Sequence, residues 1–477
     1  VTTTAPASAP DATGSRIGSP LLTVAVLCFG GLTAALTQTM VIPIQGELGM
    51  LLDTSEANAS WVVTATLVAG AIAMPISGRL GDLFGKQRVL MASATVLVLG
   101  SLVCALSSSL APMLAGRILQ GFAMGFIPVG IALMREVVPP QFAATGMAAM
   151  SATLGVGGAI GLPLSAWIVQ DFSWHTLFWV STGLAFLVAL AVALLVPHVR
   201  DAVPGRFDVL GALGLAVGLV ALLIAVSKGN EWGWAHGRTI GLLVAAVVVL
   251  VAWGSYELRV EDPLCDLRVS ARRPVLLTNL AAIAIGFGMM AQAIVVPRLL
   301  QSPESTGYGL GQTLLETGLW MAPGGLVMMA FSPVSGRLIR VAGARRTLMI
   351  GAAVLGLGYV FAIFFADSPW QLLVFNCITS AGIGIGYAAM PTLILESVPI
   401  TEAGSGVGIN GLMRSVGTSI SAAVMAAILT ASTITLGGYE IPDENAFRIC
   451  FIVGAAAAFL GMALAALVPA RRTTSAS

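Results

Sequence analysis

PISGRLGDLFGKQR, from Pro75 to Arg88, returns later in the chain as PVSGRLIRVAGARR, from Pro333 to Arg346. The two stretches share the pattern P-x-S-G-R-L-x4-G-x2-R, seven identities in a single register. Each copy follows one apolar run and precedes another, and each run has roughly the 20 residues needed to cross a bilayer. A basic, glycine-rich pattern at the same place in two apolar blocks marks an internal duplication. Repeated halves around a central pathway are the usual construction of secondary transporters.

The chain around the repeat carries little charge. Of 477 residues, 57% are hydrophobic and 9% are Asp, Glu, Lys or Arg, against roughly 25% charged in soluble domains. That composition excludes a water-soluble fold. The net charge of +1 gives no basis for binding nucleic acid. Fifty-five glycines suit helices that pack backbone to backbone in lipid. Cys28, Cys104, Cys265, Cys377 and Cys450 form no C-x-x-C pair and read as reduced packing residues. His175, His198 and His236 are dispersed, so no metal site is expected. Nothing resembles a phosphate loop, so no ATP motor is expected in this chain.

Breaking the sequence at charged and Pro/Gly-rich clusters leaves fourteen candidate spans. Six lie at roughly 21–44, 61–79, 89–109, 112–134, 144–168 and 176–196, and two more at 209–227 and 239–256. The last six lie at 275–299, 313–334, 347–366, 371–395, 405–430 and 447–468. The expected organisation is a disordered tail over 1–20, a six-helix bundle over 21–200, two inserted spans with linkers over 201–274, a second six-helix bundle over 275–468, and a tail over 469–477. The fold class is an all-α polytopic membrane protein. Placing the N-terminus in the cytoplasm puts seventeen cations inside and four outside, and the reverse orientation inverts the ratio. Both termini are therefore expected in the cytoplasm, with the protein in the cell (inner) membrane.

Gly78 to Arg88, GRLGDLFGKQR, resembles the signature loop of the major facilitator superfamily, and six plus two plus six spans resemble its fourteen-span drug:proton antiporter-2 family. The resemblance covers nearly the whole chain beyond the N-terminal tail. It implies the major facilitator fold, two six-helix bundles plus two extra central helices, usually working as a single chain. The loop also has a physical reading of its own. Gly78, Gly81 and Gly85 let helix ends approach closely, while Asp82 faces Lys86 at i+4 and Arg79 at i−3, with Arg88 close behind. Such a cluster can latch one half to the other in one conformation and release it in the next; Glu136, after Arg135, can join it. The second copy has Arg340 in place of the acid and is expected to be the weaker latch.

Arg117, Gln120 and Gly121 in the fourth span resemble the family's R-x-x-Q-G element, in which the Arg is associated with proton coupling. An Arg within an apolar span costs roughly 2.5–3.5 kcal/mol, so it is expected to face a cavity or a partner. The alternative is a structural cation buried against carbonyls. In the fifth span Gly155, Gly157, Gly158, Gly161 and Pro163 resemble the antiporter element G-x-x-x-G-P-x-x-G-G of exporters, with Pro one position late and small residues for the closing glycines. The family often has an Asp near the end of span 1, whereas Leu36 to Pro43 holds no acid. Glu316 is the best embedded carboxylate by sequence and is taken with Arg117 for proton coupling, with Arg298 near enough in sequence to approach it. A helix-start acid favoured by the dipole is the alternative for Glu316.

Asn410 and Arg414 match an N-x-x-x-R pattern that the family shows in this span. With Gln38, Gln120, Gln292, Asn376 and Trp320 they are the candidate substrate-cavity residues. A lining of uncharged polar, Met and aromatic groups suits small amphipathic ligands better than sugars or nucleotides. The expected function is proton-driven export of amphipathic drugs or antibiotics by alternating access, needing no cofactor beyond the proton gradient. A dedicated exporter of one endogenous metabolite is the alternative, and a solute:proton symporter a more distant one. The densest acidic cluster, Glu261, Asp262 and Asp266, reads as a connector rather than an enzyme's site, and the two inserted spans read as lipid-facing.

Overall fold

The structure, a computed structural model, describes residues 20–469 apart from 43, 46, 199–204, 437 and 438. The bulk of both expected tails and Arg16, Arg200, Arg471 and Arg472 lie outside the described residues.

Among the described residues, fourteen helices are long and apolar enough to cross a membrane. They are α1 (Pro20–Thr39), α2 (Trp61–Phe84), α3 (Lys86–Leu106), α4 (Leu110–Val137), α5 (Pro140–Asp171), α6 (His175–Leu195), α7 (Val209–Trp232) and α8 (Gly237–Glu257). After them come α9 (Arg273–Gln301), α10 (Leu314–Ala342), α11 (Ala344–Phe364), α12 (Pro369–Ser397), α13 (Ala403–Ala431) and α14 (Glu444–Leu467). A turn of 3-10 helix at Ala123–Gly125 interrupts α4, where Gly125 lies against Ser77. Between α13 and α14 a two-stranded antiparallel hairpin, β1 (Thr433–Leu436) and β2 (Tyr439–Pro442), was not legible in the sequence.

The repeated stretch is mostly helix rather than loop. Pro75 to Phe84 form the end of α2, and the chain reverses at Gly85 with φ 96° and ψ 131°. In the second copy the reversal falls on Gly343, at φ 82° and ψ 156°. Positive φ is nearly free for glycine and strained for any residue with a Cβ, which is why both copies keep Gly at this one place. Both reversals end even-numbered spans and so lie on the same face of the bundle.

The duplication is visible in the packing. In the first half α1 packs on α5 and α6, α3 on α4 and α6, and α2 on α4. In the second half α9 packs on α13 and α14, α11 on α12 and α14, and α10 on α12. These are the same pairings, shifted by eight spans. The halves meet through α2 on α13 and α5 on α10, again equivalent positions exchanged between halves. The repeat glycines sit in these two contacts. A Cβ on Gly78 would lie 2.2 Å from the Gly404 carbonyl oxygen, and one on Gly336 would lie 2.5 Å from Thr145 Oγ1.

The inserted pair is not wholly lipid-facing, contrary to the expectation from sequence. α8 is largely exposed, but α7 packs on both α2 and α13. Lys228 of α7 bonds Ser60 before α2, while Asn230 Nδ2 donates to the Ala423 carbonyl of α13 at 2.9 Å. The apolar composition of both helices hid this difference, because in lipid a protein-facing helix and a lipid-facing one can be equally greasy.

Gly78→Val is expected to lower the unfolding temperature of the detergent-purified protein by about 3 °C or more. Gly241→Val in α8, where an added Cβ meets nothing within 4 Å, should leave it unchanged.

Candidate functional site

The signature residues lie at the contact between halves. Asp82, 1% exposed, reaches across to the first turn of α13. Its Oδ1 accepts from the Gly404 amide at 3.0 Å and its Oδ2 from the Ser405 amide at 2.9 Å. These amides belong to the four that a helix start leaves without intrahelical partners, and the helix dipole favours an anion there. Lys86 Nζ lies 3.4 Å from Asp82 Oδ1 and 2.7 Å from Glu136 Oε1 of α4. The acid of one half therefore caps a helix of the other, and Lys86 ties that acid to α4. Arg79 is buried and lies in the field of Glu402, just before α13. Gly81 packs on Val129, and Arg88 is exposed outside the cluster. At the position equivalent to Asp82, Arg340 Nη1 donates to the Gln141 carbonyl of α5 at 2.6 Å. That single bond to one carbonyl replaces two amides held by a carboxylate.

Arg117 is fully enclosed inside the first half. Its Nε donates to the Val62 carbonyl of α2 at 3.1 Å. Its Nη1 donates to the Thr37 carbonyl of α1 at 2.9 Å and to Gln120 Oε1 at 2.8 Å, and Gln120 Nε2 donates to Ser101 Oγ of α3 at 2.9 Å. Among the described residues no carboxylate pairs with Arg117. One guanidinium and its neighbour thus join four helices, and Gln120 serves this network instead of lining a cavity.

On α5, Gly157 and Gly161 form the surface against α1. A Cβ on Gly157 would lie 2.4 Å from Ala35 Cβ, and one on Gly161 would lie 2.1 Å from Thr39 Oγ1. Thr39 Oγ1 donates to the Gly157 carbonyl at 3.0 Å. Pro163 stands beside Gly318 of α10, so the element touches both halves, and α5 runs on through the proline as helix.

The polar residues of the second half form a seam along α9, α12 and α13. Gln292 Nε2 donates to Asn376 Oδ1, and Asn376 Nδ2 donates to the Met321 carbonyl at 2.8 Å. Asn410 Nδ2 donates to Asn279 Oδ1 at 3.0 Å. The Arg414 guanidinium lies 4.7 Å from the centroid of the Tyr387 ring, a cation–π contact, and Tyr387 Oη lies 2.9 Å from Met289 Sδ. Gln292 Oε1 and Asn410 Oδ1 are buried with no hydrogen-bond partner among the described residues. Trp320 Nε1 donates to Gln312 Oε1 at 2.8 Å, and Gln38 is half-buried on α1 with no side-chain bond among the described residues.

Glu316 requires correction. It is exposed at the start of α10 and closes a capping box with Thr313. Its Oε2 accepts from the Thr313 amide at 2.8 Å, and its own amide donates to Thr313 Oγ1 at 3.3 Å. Arg298 forms no ion pair with it among the described residues. T-x-x-E before an apolar run is the sequence signature of such a box, and Thr313-Leu314-Leu315-Glu316 carries it.

The family profile described as Major Facilitator Superfamily matches residues 27–422 and 278–477. This chain belongs to the Major Facilitator Superfamily. Its apolar helices make it a multi-pass membrane protein of that superfamily. It is 29% identical over 462 residues to an uncharacterized MFS-type transporter of Mycobacterium tuberculosis, covering 92% of this chain and 65% of that protein. It thus spans about two thirds of that relative's length. A protein named multidrug resistance protein B homolog, also from M. tuberculosis, is 26% identical over 87% of this chain and 77% of its own length. The Bacillus subtilis multidrug transporter protein MdtP is 23% identical, over 86% and 74%. The crystal structure of the human organic anion transporter MFSD10 (TETRAN) superposes with a TM-score of 0.66 at 15% identity, over 94% of this chain and 99% of that one. That likeness is one of fold.

Sequence reasoning passed over Tyr387 and Ser101, uncharged residues that give no signal in an apolar run, and counted Lys228 only among the four outer cations. Arg117→Ala is expected to leave the Thr37 and Val62 carbonyls and Gln120 without their donor. At about 1–3 kcal/mol for each unsatisfied buried group, its unfolding temperature should fall well below that of Ser101→Ala, as thermal unfolding in detergent would read.

Proposed function

We propose that this transporter exports small amphipathic molecules from the cytoplasm in exchange for protons, with the Gly85 and Gly343 turns on the cytoplasmic face of the cell membrane. The Asp82 cap on α13 carries the reading. It closes one face of the bundle by a contact between halves, and alternating access requires such a contact to form and break. Neutralising Asp82 removes the charge that holds Lys86 and weakens both amide bonds, so a proton and the seal are linked at this carboxylate. The glycine surface of α5 against α1 and Pro163 beside α10 give the direction, through their likeness to the exporter element. Relatives named for multidrug transport favour amphipathic cargo. In the second half Gln292 Oε1 and Asn410 Oδ1 offer unused acceptors, and Met289, Tyr387 and Trp320 offer adaptable apolar surface. Arg117 takes part by holding α1, α2 and α4 in one body and setting the field around them. The protein works as a single chain.

In inverted vesicles an acid-inside gradient is expected to drive uptake of a fluorescent amphipathic dye, and a protonophore should abolish it. Asp82→Asn should slow uptake at least about tenfold, the order expected for weakening a charged hydrogen bond. Dye uptake indifferent to the gradient, or accumulation in right-side-out vesicles instead, would remove the export reading. A response to one member of a broad panel of amphiphiles would mark a dedicated exporter.

A further inference from the structure

Two acids at the base of the inserted hairpin have no assigned role. Asp208 is the N-cap of α7, and Glu257 is the last residue of α8 and 3% exposed. Asp208 Oδ1 accepts from the Gly211 amide at 2.8 Å and from the Tyr256 hydroxyl at 3.1 Å. Glu257 Oε2 accepts from the Cys265 amide at 3.4 Å, and the Trp253 indole and the Leu264 amide also act on this carboxylate. The other two oxygens, Asp208 Oδ2 and Glu257 Oε1, are buried with no hydrogen-bond partner among the described residues. Both point into the same small space. A Cβ added at Gly211 would lie 2.3 Å from Asp208 Oδ2 and 2.6 Å from Glu257 Oε1. The two orphan oxygens are therefore within about 5 Å of each other, the range at which like charges disfavour joint ionisation.

Among the described residues no Lys or Arg forms an ion pair with either acid. From α8 the neighbours are Tyr256 and the indole of Trp253. From the connector comes Cys265, whose thiol is pushed up by burial and by Glu257, and which feels Arg79 of α2 on its other side. Arg79 is in turn in the field of Glu402, together with Asp266, Arg272 and Asp82. One proton bound to either acid would leave a single negative charge on the pair and relieve the repulsion between the facing oxygens.

We propose that Asp208 and Glu257 form a two-carboxylate proton site, one proton shared between them, whose occupancy sets how firmly the inserted hairpin holds the start of α13. The physical link is short. The Cys265 amide is on Glu257, the Ser405 hydroxyl donates to the neighbouring Leu264 carbonyl at 3.4 Å, and the Ser405 amide is on Asp82. Losing the proton sets two like charges against each other between α7 and α8, and the connector carrying Leu264 and Cys265 is the segment free to respond.

Infrared difference spectra of the full-length protein in nanodiscs, recorded between about pH 6 and about pH 8.5, would test this. The expected result is a protonated-carboxyl C=O band in the wild type that disappears at the higher pH. It should be absent in Glu257→Gln, and Asp208→Asn should change its pH dependence, because the like charge that couples the two acids is gone while Glu257 stays buried. A wild type with no titrating band, or a band that Asp208→Asn leaves unchanged, overturns the proposal. Loss of the band on adding sodium at fixed pH also overturns it, by assigning the pair to a cation. If Glu257→Gln does not fold, Asp208→Asn answers the same question. The readout needs neither substrate nor transport, so its failure and that of the export reading are distinguishable.

Discussion

The close approach of α2 and α13 governs how the two halves of this protein relate. Lipid gives helices no hydrophobic reason to associate, so contact must come from packing and polar bonds. Gly78 and Gly404 remove the side chains that would hold the backbones apart. Once the helices are that close, Asp82 can reach two amides that α13 cannot satisfy by itself. Packing and capping support each other here: without the glycines the carboxylate would fall short, and without the carboxylate the amides would sit buried and unmet.

Polar bonding is distributed unequally between the interior of each half and the boundary between them. Inside the first half Arg117 and Gln120 bind carbonyls and hydroxyls on three other helices. Inside the second, α9, α12 and α13 are joined through Gln292, Asn376, Asn279 and Asn410. A guanidinium held by carbonyls is costly to expose, so these networks make each half stiff. Across the boundary the polar contacts are few and end on helix starts, as with Asp82 on α13 and Arg340 on α5. Stiff halves with a sparsely bonded seam are suited to rigid-body motion rather than internal deformation.

The inserted pair modifies that seam. Because α7 bonds both Ser60 and the Ala423 carbonyl, one of its ends is fastened to both halves, while its base adjoins Ser405 through the connector. Any rotation of one half against the other must be accommodated along this helix. α8, mostly turned outward, braces α7 from the lipid side.

The sequence by itself determined the number of spans, the duplication, the family and the place of the signature residues. Span length follows from bilayer thickness, and the repeat survives as identities such as Gly85 and Gly343, whose backbone angles permit little but glycine. It also held the capping box that fixes Glu316, although hydropathy alone suggested an embedded acid there. Only the tertiary structure decided which partner each buried polar group meets. Asp82 and the amide it caps are 322 residues apart, and Arg117 lies 80 residues from the Thr37 carbonyl it binds. Local periodicity constrains which face of a helix is polar, but in a chain this apolar it carries no information about the helix opposite. That is why Asp208 and Glu257, unremarkable at two span ends, became neighbours only when α7 and α8 folded against each other.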